Sequence, residues 1–170
     1  MSLTDAAGMR HVLVVAQDHM VDLDTALLWS HAVVTTALAG VIWVVQVVVY
    51  PALRVCGPTP AWPAVHAHHT RAMAAVVTLP WAVQGLTLAA LLARRPDGVP
   101  VLLLLSTGVL AAATVVVTAL WSVPLHSRLA AGYDDALARR LISTNWLRTA
   151  AWSGGAVCAL TMLGVASGSP

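Results

Sequence analysis

The sequence predicts an all-α protein: a polytopic four-helix bundle built to cross a membrane. Three observations predict it. The chain has 170 residues, of which 59% are hydrophobic and only 9% charged. The apolar residues gather in four runs, 26–50, 72–93, 99–123 and 141–165. Each is near the ~20 residues that cross ~30 Å of hydrocarbon. Glutamate is absent, and all seven acidic residues, Asp5, Asp18, Asp22, Asp24, Asp97, Asp134 and Asp135, lie outside those runs. The expected organisation is an N-terminal surface segment over 1–25, a bundle over 26–166 and a frayed tail over 167–170.

The elements follow in order. The run Val12–Ala16 is too short for a signal-peptide core, and Asp18, Asp22 and Asp24 follow it. The first 25 residues therefore suggest a surface segment or a short interfacial helix. The first span should end at Tyr50-Pro51, because proline lacks a backbone donor and restricts the residue before it. Gly57, Pro58, Pro60 and Pro63 mark a loop. The segment His66–Met73 leads into the second span, in which Pro80 predicts a kink. Arg94-Arg95-Pro96-Asp97-Gly98 forms a polar turn into the third span, which should end near Pro124. Asp134 is the expected cap of a short interfacial helix, with Asp135 and Arg139 paired i,i+4. The fourth span opens at Leu141 and ends in small residues. The two halves resemble each other around Tyr50-Pro51-Ala52-Leu53-Arg54 and Val123-Pro124-Leu125-His126-Ser127-Arg128, as a 2+2 repeat would.

Composition excludes several functions. A carboxylate-bridged di-iron centre needs several inward acids, and a proton-coupled carrier usually needs one inside the membrane. A net charge of +2 with no basic run gives no reason to expect nucleic acid. Cys56 and Cys158 lie at different depths and should be free. What remains for chemistry is imidazole, amide, phenol and guanidinium.

Those groups collect at one end. In an antiparallel bundle the loops after spans one and three lie on the same side. Gln46, Tyr50, Arg54, His66, His68, His69, Arg71, His126, Arg128, Asn145 and Arg148 all belong to that side, and Asn145 is the sole asparagine. Trp43, Gln46, Tyr50 and Arg54 step by 3, 4 and 4 residues and make one helical stripe. Asn145, Arg148 and Trp152 step by 3 and 4, and Thr118, Ser122 and His126 by 4. A single polar chamber is expected. His31 lies fifteen residues before Gln46, ~22 Å along a helix, and reads as a packing or second-surface histidine.

Each residue also has an ordinary explanation. Arginines at span ends snorkel to headgroups, tryptophans form interfacial belts, and amides bond neighbouring helices. His66, His69 and His126 could ligate copper, iron or zinc, or could form a hydrogen-bonded cluster. Haem is also open, since imidazoles are its usual ligands.

Pro124-Leu125-His126-Ser127-Arg128-Leu129 and Asn145-Trp146-Leu147-Arg148 resemble the anthrone-oxygenase-like family of small four-span bacterial membrane proteins. That family has a proline, a polar residue (often Asn) and a leucine in the first segment, and a polar residue and an arginine opening its last helix. His126 departs from the commoner Asn. The resemblance implies oxidation of a lipophilic polycyclic phenol in natural-product biosynthesis.

The expected function is a membrane oxidoreductase of oxygenase type, acting on a lipophilic, aromatic substrate. Its catalytic set is His69, His126, Arg148, Arg71 and Asn145. Trp43, Gln46, Tyr50, Arg54 and Trp152 would bind substrate, and His66, His69 and His126 any metal. The alternatives are a non-enzymatic carrier of haem, metal or lipid, and a structural subunit, either of which could form a homo-oligomer. The expected location is a bacterial inner membrane. Arg54, Arg71, Arg128, Arg139, Arg140 and Arg148 at the polar end, against Arg10, Arg94 and Arg95 opposite, place that end in the cytoplasm.

Overall fold

The structure, a computed structural model, describes the backbone of residues 3–168 and the side chains of residues 23–168. Its elements are all helical. The first rod comprises α1 (Leu3–Val44), a π-helical turn (Val45–Val49) and α2 (Tyr50–Cys56). The second is α3 (Trp62–Arg94). The third comprises α4 (Val101–Val117), a second π turn (Thr118–Ser122) and α5 (Val123–Ala130). The fourth is α6 (Asp135–Ser167). Four stretches, Leu23–Cys56, Trp62–Arg94, Val101–Ala130 and Asp135–Ser167, are long and apolar enough to cross a membrane. The chain is a four-helix membrane bundle.

The rods outrun the apolar stretches at several ends. The first continues through Pro51 to Cys56, and the third through Pro124 to Ala130. Proline removes an N–H and pushes against the carbonyl four residues back. Those carbonyls belong to Val47 and Leu120, each inside a π turn. The wider turn relieves the clash, so both helices continue. The expected interfacial helix at Asp135 is the start of α6 rather than a separate element. Asp134 caps it, its carboxylate accepting from the Leu137 N–H at 2.9 Å. At the other end of the sequence the backbone is already helical at Leu3 and runs unbroken into the first rod. The side chains of the expected surface segment before Leu23 lie outside the described residues.

Hydrocarbon removes the usual drive to bury apolar groups, so helix association depends on close packing and interhelical hydrogen bonds. Large side chains such as Leu79, Leu86, Leu102 and Val109 face outward. Small residues on α6, Ala151, Gly155, Ala156 and Ala159, are buried where α1 and α4 cross it. α6 packs extensively on α1 and α4, and α1 on α3, whereas α3 and α4 meet sparingly. The fourth seam is therefore loose.

Two apolar clusters fill the interior. One holds Leu38, Ile42, Tyr50, Trp62, Leu129 and Trp152. The other holds Leu28, Leu91, Leu104 and Met162. A polar layer lies between them. Gln84 of α3 donates to Thr35 Oγ1 at 3.1 Å and accepts from the Trp152 indole N–H at 3.2 Å. His31 is fully buried, with Nδ1 3.0 Å from Thr87 Oγ1, in line with a packing role.

Candidate functional site

Near the His66 end, a cavity of about 290 Å³ lies between all four rods. Its walls are mostly apolar: Leu38, Ile42 and Val45 from the first rod, Met73, Val77 and Trp81 from α3. Its polar groups are Tyr50, His69, Thr70, Thr118, Ser122, His126 and Arg148. Two lining residues are exposed, Ala74 of α3 and Val123 of α5. They stand on either side of the loose α3–α4 seam, so the mouth opens sideways, toward the bilayer.

The π turns bring the aromatic cluster together. A π turn adds about one residue per turn and rotates everything after it by about 100°. It carries Tyr50 inward at the start of α2, to an exposure of 4%. The phenol oxygen is 3.3 Å from His126 Nε2. His126 Nδ1 is 3.2 Å from His66 Nε2. Tyr50, His126 and His66 thus form a hydrogen-bonded file that leads away from the cavity. His69 packs beside it, its ring centre 5.7 Å from that of His126. Among the described residues the His69 ring has no hydrogen-bond partner, and it faces the cavity.

Arg148 is 9% exposed and has no carboxylate in contact among the described residues. It donates to Asn145 Oδ1 at 3.2 Å and weakly to Ser122 Oγ at 3.4 Å. Asn145 in turn donates to Gln46 Oε1 at 2.7 Å, and Gln46 donates to the Ile142 carbonyl at 3.2 Å. The guanidinium lies 5.0 Å from the centre of the Trp152 ring and also faces the Tyr50 phenol. Its Nε is buried without a partner among the described residues.

The expected site is therefore partly redrawn. Tyr50, His69, His126, Arg148 and Trp152 share the cavity. Gln46 and Asn145 are absent from its lining and hold Arg148 in place from behind. Arg71 is exposed. It lies two residues from His69, ~200° around the helix, so the two cannot face the same way. Trp43 is half exposed on the outer α1–α6 seam, donating to Ser153 Oγ at 3.0 Å and packing on Trp146. The intervening π turn breaks the stripe that joined it to Tyr50. Arg54 is exposed and pairs with Asp135 at 2.7 Å, outside this cavity.

Comparison with protein-family models, curated proteins and solved structures finds no match.

The three imidazoles do not fit a metal. His126 has both nitrogens engaged, one with His66 and one with Tyr50. Among the described residues no three His, Cys, Asp or Glu side chains are placed to hold one ion. His66 sits behind His126, away from the cavity, at a small void of about 10 Å³ that Arg54 and Trp62 also line. That is about the space of one water. Sequence reasoning missed Gln84 and Trp81. Gln84 left a usable signal: it is the one amide in the second apolar run.

Proposed function

We propose that the chain is a membrane oxidoreductase of oxygenase type, acting on a lipophilic phenol that enters from the bilayer. The observation that carries this reading is Arg148: a buried guanidinium without an acid partner among the described residues, with a free N–H, beside a mostly apolar cavity. Burying an uncompensated charge is costly. The cost is offset when an anion forms against it, and the effect is largest where water is excluded.

The residues divide the work. The apolar walls bind the body of the substrate. His69, with both ring nitrogens free of protein partners, is the general base that takes a proton from an acidic C–H or phenolic O–H. Arg148 stabilises the resulting anion, and Trp152, Asn145 and Gln46 fix the guanidinium. Dioxygen is the oxidant. In the balanced reaction a ring CH₂ becomes C=O, one oxygen atom enters the product, and the other leaves as water with the two hydrogens. Both hydrogens, the one held by His69 included, end in that water, so no net proton leaves; Tyr50, His126 and His66, hydrogen-bonded in file, fix the cavity wall beside His69.

The test uses purified protein in lipid nanodiscs with dithranol, a dihydroxyanthrone, as probe. Oxygen uptake and the visible absorbance of the hydroxyanthraquinone product should both rise above the protein-free rate. Tight binding without oxygen uptake would leave a carrier instead. Neither binding nor uptake would end the reading.

A further inference from the structure

A second groove lies on the outside of the bundle, between the second π turn, α5 and the start of α6. We infer that it holds the phosphate headgroup of an anionic phospholipid. The groove measures about 160 Å³ and is lined by Leu120, Trp121, Pro124, Leu125, Arg128 and Arg140. Its floor is apolar, its two charged residues are both arginines, and no acid lines it.

The neighbouring arginines behave differently. Arg139 and Arg54 are both taken up by Asp135. Arg128 and Arg140 are exposed and form no ion pair with any described residue. Consecutive helical residues diverge by ~100°, so Arg139 turns to the acid and Arg140 to the groove. Two guanidinium forks converging on one concavity suit a phosphate, which accepts bidentate pairs. A snorkelling arginine needs no such partner and no shared groove.

The position selects a lipid over a free anion. Leu120, in the lining, is 62% exposed. It offers acyl chains an apolar surface next to the headgroup site. Trp121, half-buried in the same lining, suits the boundary between headgroup and hydrocarbon. An anionic leaflet attracts such basic groups. None of this depends on what the inner cavity binds.

The experiment is native mass spectrometry of the delipidated protein, re-equilibrated with an equal mixture of phosphatidylglycerol and phosphatidylcholine. The protein should retain phosphatidylglycerol preferentially. The Arg128→Gln/Arg140→Gln double variant should lose that preference by about thirtyfold. Arg71→Gln, which removes an exposed arginine outside the groove, should keep it. On the unmodified protein the preference should fall as salt rises, which tests the inference even if the double variant fails to fold. Equal retention of both lipids, a preference unchanged in the double variant, or a preference indifferent to salt would each overturn it. Full displacement by inorganic phosphate would overturn the lipid assignment and leave a simple anion site.

Discussion

The Arg148 guanidinium carbon lies 5.0 Å from the centre of the Trp152 indole ring, and that indole is itself fixed by an N–H bond to Gln84. Arg148, the one buried arginine among the described residues, is therefore aimed by a chain of contacts that begins on another helix. Stacking of this kind is worth ~0.5–2 kcal/mol and depends on a planar cation. Arg148→Lys keeps the charge and loses the fork. Dithranol affinity should fall tenfold to a hundredfold, matching ~1.5–3 kcal/mol for a lost charged hydrogen bond. A titration showing unchanged affinity would remove Arg148 from the site.

His69 and His66 should separate kinetically. Losing a general base costs ~10²–10⁴ in rate, and that loss should fall on His69→Ala. His66→Gln should slow turnover less, because it loosens the His126 ring without removing the base. Equal rates for His69→Ala and the unmodified enzyme would exclude His69 as the base.

Gln84→Leu should destabilise the bundle by ~1–2 kcal/mol, since it strands the Trp152 N–H inside the protein. It should also loosen Arg148. Unfolding by denaturing detergent reads the first effect and tryptophan emission the second. No change in either would mean the polar layer contributes nothing.

Much of the fold was legible because hydropathy and length alone determine spans in hydrocarbon. The polar end was legible too: Tyr50, His69, His126, Arg148 and Trp152 do meet. Sequence and structure part where phase matters. Counting 3.6 residues per turn puts Trp43 and Tyr50 on one stripe, and a π turn between them voids the count. Depth alone groups Arg71 with His69, although two residues put them on opposite faces. Spacing shows Gln46 and Asn145 as inward but not as one layer behind the surface. Distance from a cavity that forms only after four rods pack is not written in any one of them.

Arginine distribution predicts that the His66 end faces the cytoplasm. In a Cys56→Ser/Cys158→Ala background, a cysteine placed at Asp97 should react with an impermeant maleimide in intact cells. One placed at Thr59 should react only after lysis. The reverse pattern would put the His66 end outside.

Each π turn ahead of a proline amounts to one surplus residue in an otherwise regular rod. The bundle itself does not need either surplus; the positions of Tyr50 and His126 do. Removing one residue from Val45–Val49 would let the first rod revert toward an ordinary helix, still apolar and still long enough to span. It would also turn Tyr50 to the lipid. A relative shorter by that single residue would keep the scaffold and lose the chemistry, so in this architecture a one-residue gap in an alignment says more about activity than many substitutions.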